Sequence, residues 1–300
     1  MVFFPTSNKR LIIVNLKGGL GNQMFQYAAA RVLALRLKQK VNLDLRFLEQ
    51  NNETASFTAR SFALDTFKIK ARRFQPDANN SLLPGFMKRW TGRTKKPLHF
   101  YDDGSDLNHV QLPAYLDGYF QSEKYFGDQR SSLLKDFSFK LPAGDKNETL
   151  LKDILNTVSV SIHFRRGDYV NKAATFKVHG ICDISYYEAA IAMLAEKQQG
   201  LCFYVFTDDP VWVNEHFIMR HKTNYNMLLV NNNQWTDSWK DMYLMSSCKH
   251  NIIANSSFSW WGAWLNQNAE KMVIAPARWF ADTNIYDFEK DILPASWIKI

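Results

Sequence analysis

The sequence predicts an α/β protein made of two Rossmann-like halves facing a cleft. Apolar, strand-like runs alternate with helical stretches in both halves of the 300-residue chain, the pattern of a parallel sheet with helical crossovers. Each half also places its chemistry-bearing residues directly after such a run, in "LIIVNLKGGLGNQ" and in "SVSIHFRRGDYV". Strand C-termini are where open parallel sheets put their ligands. Between the halves, "KLPAGDKNETL" (140–150) has the Pro, Gly and charge content of a linker. The expected domains are 1–145 and 150–300.

The first half opens as a βαβ unit: strand Leu11 to Leu16, a long helix from Met24 to Gln39, then the strand "VNLDL" (41–45). The stretch 46–113 is irregular, with Asn, Pro and basic clusters, and is expected to hold short helices and loops. "LPAYLDGYFQSEKYF" (112–126) gives another strand and a helix start at Ser122. In the second half, strands are expected at 158–164, 201–206, 227–230, 252–254 and 272–275. Helices are expected at 185–199, 210–218, 237–248 and 259–267.

Composition narrows the class. At 46% hydrophobic with 22 Phe, 12 Tyr and 9 Trp, the chain has a large core to bury and is not disordered. The net charge of +8 is local: residues 68–96 hold nine Lys or Arg against Asp77, which accounts for the whole excess. A global nucleic-acid coat is excluded; one basic patch remains. The three cysteines, 182, 202 and 248, are odd in number and far apart, which argues for reduced structural thiols. No stretch approaches the roughly 18 apolar residues of a membrane span. The expectation is a cytoplasmic enzyme, at most peripheral to the inner face of a membrane. The three N-x-[ST] sequons (Asn52, Asn147, Asn255) read as chance.

Four loops carry candidate chemistry. In "SIHFRRGDYV", Val158, Val160, Ile162 and Phe164 alternate with Ser159, Ser161, His163 and Arg165. His163 and Arg165 thus share a face at a strand end, with Arg166 and Asp168 just beyond. A salt bridge is the ordinary reading of one basic pair; this compression of charge points to an anionic ligand. In "GGLGNQ", Gly19 and Gly21 let a ligand approach the backbone, and Asn22 and Gln23 begin the helix. As a dinucleotide fingerprint it lacks the third glycine, since Met24 stands there. Asp44 keeps an NAD oxidoreductase open as an alternative. In "FTDDP", Asp209 suits an N-cap before Pro210, and Asp208 is placed either for structure or for a nucleotide.

The fourth, "DSWKDMYLMSSCKHNIIANSSFSWWGAW", is the richest. Asp241 shares a helix face with Leu244, Met245 and Cys248, so it needs a partner: a guanine edge or a salt bridge. Asn255, Ser256, Ser257 and Ser259 open an aromatic helix, where one serine caps and the other hydroxyls suit a phosphate. Trp260, Trp261 and Trp264 read as core. No two aspartates lie two residues apart, so the D-x-D pair of metal-dependent glycosyltransferases is missing, and no His/Cys cluster has metal spacing. Cationic side chains and helix ends would have to neutralise a diphosphate. No metal and no cofactor are expected.

At these motifs the chain resembles the α-1,2-fucosyltransferases, glycosyltransferase family 11. "GGLGNQMFQYA", "HFRRGDYV", "FTDDP" and "IIANSSFSWWGAWL", with "GYFQSEKYF" between the first two, follow in the family's order from residue 18 to 265. The resemblance implies a GT-B-type fold and inverting, metal-free transfer of L-fucose from GDP-fucose to the 2-OH of a terminal β-galactoside, in glycan or surface polysaccharide synthesis. It implies that Arg165 and Arg166 hold the diphosphate, that His163 and Asp241 meet the nucleoside, and that serines of "NSSFS" meet the phosphates. Asn22 would reach the reacting centre. Gln23 and His179 are acceptor-side candidates. The related core α-1,6-fucosyltransferases carry a glutamate seven residues after the second arginine; here that position is Ala173. Asp168 and His179 are substitutes in reach by sequence, and proton transfer to the leaving phosphate is an equal alternative. The acceptor is left open and includes lipid-linked glycans, with 68–96 as a membrane contact. Other linkages, and a basic module binding membrane or nucleic acid, complete the readings.

Overall fold

The computed structural model describes residues 10–50, 58–74, 99–102, 104–141, 146–233, 235–282 and 290–300; the side chains of residues 168, 171 and 235 fall outside that description. The catalytic role expected of the Asp168 side chain, and most of the basic stretch 68–96, therefore lie outside the described residues. The chain divides into two compact units, Met1–Asn52 with Ala59–Ser138, and Glu53–Thr58 with Phe139–Ile300.

The first unit is a five-stranded parallel sheet: β1 (Ile12–Asn15), β2 (Val41–Asp44), β3 (Ala71–Arg73), β4 (His99–Tyr101) and β5 (Ala114–Leu116), in the order β3-β2-β1-β5-β4. The stretch 46–113 therefore holds two edge strands of three residues besides its short helices. The helix after β1 spans Leu20–Arg36, starting four residues before the apolar pattern suggested. Gly18, at φ +79°, turns the chain out of the strand, and extended Gly19 is the N-cap. Small residues Ala28, Ala29 and Ala30 let this helix lie buried on the sheet.

The second unit is a six-stranded parallel sheet of β6 (Val158–Phe164), β7 (Leu201–Thr207), β8 (Asn226–Val230), β9 (His250–Ile252), β10 (Val273–Ala275) and β11 (Ile298–Lys299). Its order, β11-β10-β9-β6-β7-β8, turns around between β6 and β9. The chain runs outward from β6 to β8, then returns to the other side of β6, and a ligand crevice forms at such a switch point. β6 is central, and both of its faces are covered. Phe164 stacks on Tyr187 with centroids 3.8 Å apart on the apolar face. The alternate face, polar in sequence, is equally dry: Ser159, Ser161 and His163 are 0%, 1% and 5% exposed. Ser159 Oγ accepts from Lys249 N at 3.1 Å and Ser161 Oγ from Asn251 Nδ2 at 2.7 Å. Buried hydroxyls are tolerated because each finds a partner.

Trp260, Trp261 and Trp264 are buried core, as the sequence suggested, with Trp260 Nε1 donating to Ile292 O at 2.8 Å. No helix among the described residues is long and apolar enough to cross a membrane.

Candidate active site

The loop after β6 presents two arginines, and the two aspartates after β7 divide between them. Arg165 Nη1 lies 2.7 Å from Asp208 Oδ2, and its guanidinium sits 5.4 Å from the Tyr169 ring. Arg166 Nε donates to Asp209 Oδ2 at 3.1 Å, with its guanidinium 3.3 Å from the centre of the Trp212 ring. Asp209 also caps the helix Pro210–Val213 through Trp212 N, as its position before a proline suggested. Asp208 Oδ1 accepts from Arg166 N at 2.8 Å. Burial works to raise the Asp208 carboxyl, but Arg165 and backbone N–H donors outweigh it and hold the group below its usual range. Asp208 thus anchors the arginine loop, the structural one of the two roles open to it from the sequence. Gly167 makes this close approach feasible: a Cβ there would stand 2.6 Å from Asp208 Oδ2.

His163 lies beside this pair. Burial, with Arg165 adding to it against the pull of Asp208, pushes its pKa down to about 4, so the ring is neutral at physiological pH. Its buried Nδ1 has no hydrogen-bond partner among the described residues. A polar atom left unsatisfied at a strand end is a position for a ligand atom to fill. Phe258, from beyond β9, packs 5.8 Å from the imidazole.

The helix after β9 spans Ser257–Leu265. Its serines have separate roles. Ser256 Oγ caps it by accepting from Phe258 N. Ser259 Oγ donates back to Ala254 O and Ser256 O at 3.4 and 3.3 Å. Asn255, placed at the donor by sequence, is consumed structurally: its Nδ2 donates to His179 O at 2.7 Å and Trp279 O at 3.1 Å. Ser257, half-buried at the first turn, is the one serine of this block whose hydroxyl makes no bond to the described residues. His179 stacks on Tyr169, centroids 4.8 Å apart and 12° between planes, and so packs against the arginine loop of its own unit.

Of the two partners expected of Asp241, the salt bridge is not formed among the described residues; Asn233 Nδ2 donates to its Oδ1 at 2.7 Å. Burial raises its pKa to about 7, against that hydrogen bond and the pull of Lys146. A half-buried carboxyl with one neutral partner is poised for a ligand that donates to it.

In the first unit, the glycine loop is braced from within. Gln23, an acceptor-side candidate by sequence, is fully buried, and its amide serves the loop instead. Its Nε2 donates to Gly18 O and Ser61 O, both at 2.9 Å, and its Oε1 accepts from Ala63 N at 3.0 Å. Gln26 exchanges hydrogen bonds with the backbone of Lys17. Asn22 Oδ1 accepts from Gln121 Nε2 at 2.7 Å and stays half-buried. Gly21 is buried in the first helical turn, and a Cβ on Gly19 would meet nothing within 4 Å. Gly18 is the position that requires glycine, by its positive φ and by Asn22 Nδ2 at 2.6 Å from a Cβ. Asp44, the ribose-binding acid of the oxidoreductase reading, is buried and paired with Arg46 and Tyr115.

The sequence gives no sign of the roles of Trp212, Tyr169 and Asn233, which hold candidate side chains in place, or of Gln26, which braces the backbone of Lys17. The two aspartates following two arginines at parallel strand ends were the signal for the ion pairs. Among the described residues, no group of three His, Cys, Asp or Glu is placed to hold a metal ion.

Comparison with known proteins places the chain in a family. The family model for glycosyl transferase family 11 matches residues 4–300. The O-antigen biosynthesis glycosyltransferase WbnK of Escherichia coli is 35% identical over 95% of this chain and 99% of its own. An alpha-1,2-colitosyltransferase of Escherichia coli is 32% identical over 97% of this chain and 99% of its own. The galactoside alpha-(1,2)-fucosyltransferase 2 of Rattus norvegicus is more distant, 23% identical over 85% and 67%. Among solved structures, the fucosyltransferase NodZ from Bradyrhizobium superposes with a TM-score of 0.52 at 12% identity, covering 85% of this chain and 93% of NodZ. The fold is thereby of the GT-B type. With the family model spanning nearly the whole chain and two relatives above 30% identity over at least 95% of it, this protein is a member of glycosyl transferase family 11.

Proposed function

We propose that this enzyme transfers L-fucose from GDP-β-L-fucose to the 2-hydroxyl of a terminal β-galactoside, inverting the anomeric carbon without a metal ion, in the assembly of a surface glycan. The observation that carries the reading is the pair of carboxylate-anchored arginines at the switch point of the second sheet, beside the unfilled Nδ1 of neutral His163. As the fucosyl C1–O bond breaks, negative charge grows on the β-phosphate. An arginine already fixed by Asp208 meets that charge without reorganising, which favours the transition state over the ground state. Ser257 and the N-terminus of its helix contribute neutral donors to the same diphosphate, and Asp241 accepts from the guanine edge. The family and the relatives named for O-antigen synthesis and α-1,2 linkage support the linkage and the glycan acceptor. A lipid-linked acceptor, with 68–96 against an anionic membrane surface, belongs to the same proposal.

A second donor has a specific observation behind it: a relative at 32% identity is a colitosyltransferase. Fucosyl and colitosyl donors offered in parallel with a panel of β-galactosides, in excess EDTA and with linkage analysis of the product, decide between them. A 1→2 fucoside formed in EDTA is the expected result. Activity that vanishes in EDTA and returns with Mg²⁺ or Mn²⁺ overturns the metal-free mechanism.

A further inference from the structure

Behind Asp241 stands a pair of amides that the proposed function does not use. Asn147 precedes the helix Glu148–Asn156 without capping it through its side chain, and Asn233 lies three residues beyond β8. Both are buried, at 3% and 6% exposure. They bond reciprocally: Asn147 Nδ2 donates to Asn233 Oδ1 at 2.9 Å, and Asn233 Nδ2 donates to Asn147 Oδ1 at 3.2 Å. The second proton of Asn233 Nδ2 goes to Asp241 Oδ1 at 2.7 Å. Both donors of Asn233 are thus used, and its orientation is determined. The flipped amide would turn an oxygen toward the Asp241 carboxylate and break all three bonds.

We propose that the Asn147–Asn233 amide pair is a positioning device that holds Asp241 in the orientation for two-point recognition of a guanine base. This rests on the reading that Asp241 meets the base. One carboxylate oxygen is pinned from behind by Asn233, and the group as a whole faces a ligand whose N1–H and N2–H₂ are parallel donors. A single neutral donor fixes geometry without neutralising the charge, as an arginine would.

The charged surroundings are sparse. Among the described residues, Lys146 is the cation that acts on Asp241, and it also approaches Asp237, which pairs with Lys240 from the helix that carries Asp241. The neighbouring helix Ser257–Leu265 has no titratable side chain, and Glu148, Lys152 and Asp153 on the helix Glu148–Asn156 are exposed. Burial places the carboxyl near pH 7, and the Asn233 bond draws it down. A ligand that donates twice binds the ionised form. GDP affinity is therefore full above about pH 7 and weakens below it, approaching tenfold per pH unit. Loss of the Asn233 donor moves that midpoint to higher pH.

Calorimetric titration of GDP across about pH 5.5 to 8.5 tests this on the wild type, Asn233→Ala, Asp241→Asn and the double variant. Asn233→Ala is expected to weaken GDP roughly tenfold at neutral pH and to raise the pH midpoint. In the Asp241→Asn background the same change should cost almost nothing. Saturated turnover should stay within about twofold, with the loss confined to KM. Equal losses in both backgrounds, an unmoved midpoint, or a fall in kcat at constant KM would each overturn the positioning role. Asn147→Ala gives the same test in milder form if Asn233→Ala does not fold. The two readings fail separately: GDP affinity unchanged by Asp241→Asn removes the base assignment itself. Affinity lost with Asp241→Asn but kept with Asn233→Ala removes only the amide pair.

Discussion

The glycine loop after β1 and the arginine loop after β6 occupy the same place in their respective sheets, yet they use their motif residues in opposite ways. In the first, the polar side chains turn inward onto main chain: Gln23 bridges Gly18, Ser61 and Ala63, and Gln26 clasps Lys17. In the second, each charged side chain is held by a carboxylate from the next strand's end, Arg165 by Asp208 and Arg166 by Asp209. An amide bonded to buried backbone is committed, because withdrawing it strands two or three polar groups. A half-buried guanidinium paired with a carboxylate keeps its charge and its planar fork for a second anion. Strand-end motifs therefore contain residues that build the loop and residues that the loop presents, and sequence position alone does not sort them.

The comparison breaks first at Arg165. Lysine keeps the charge but loses the fork that meets Asp208 and a phosphate together. Arg165→Lys should lower kcat by about 10²–10³, the usual cost of one preorganised electrostatic contact, with GDP affinity changed less. Arg166→Lys should be milder, since Trp212 and Asp209 already occupy one face and one edge of that guanidinium. Steady-state kinetics with melting curves as a folding control would measure both. Near-normal kcat for Arg165→Lys would mean the arginine does not meet the leaving group.

Next comes Gly167, where the three atoms nearest an added methyl group all belong to the anchor, Asp208. Its Cβ would stand 2.6 Å from Asp208 Oδ2, and its φ lies outside the left-handed region. Gly167→Ala should displace the carboxylate from Arg165 and reduce kcat up to about 10²-fold, the scale of a 1 Å misplacement, with little change in melting temperature. Gly19→Ala, whose Cβ meets only open space, is the matched control in the other loop and should leave the melting temperature unchanged. If Gly167→Ala turns over normally, Asp208 is not needed to hold Arg165.

How far the sequence could be read follows the same division. β6 was legible to the residue because seven positions of strict alternation leave no other period, and the strand is long enough to show it. β3 and β4, three residues each, and β11, with two, are too short to carry a period. The helices Gly167–Asn171 and Ala173–His179 make one or two turns and were hidden for the same reason. At the candidate site, the placement of Arg165 and Arg166 after a strand and of Asp241 on an apolar helix face was legible because charge near an apolar run demands an explanation. The main-chain bonds of Asn255, Ser259 and Gln23 were not, since an amide or hydroxyl gives no sign in sequence of whether a backbone carbonyl or a ligand will take it.

The sharpest test of that last ambiguity compares two adjacent residues of the glycine loop. Gln23 is fully buried and makes three hydrogen bonds to main chain, while half-buried Asn22 receives one bond from a side chain, Gln121. Gln23→Ala would leave Gly18 O, Ser61 O and Ala63 N without that partner. A cost of about 1–3 kcal/mol for each buried group left unpaired, reduced where water reaches them, should lower the melting temperature by on the order of 5 °C. The molecules that remain folded should turn over nearly normally. Asn22→Ala gives up one exchangeable contact, so its melting temperature should hold within about 2 °C while kcat falls, the outcome expected of the role at the reacting centre that the family resemblance implies for Asn22. The reverse outcome, with Gln23→Ala stable but slow and Asn22→Ala unstable but active, would make Gln23 the residue that the loop presents.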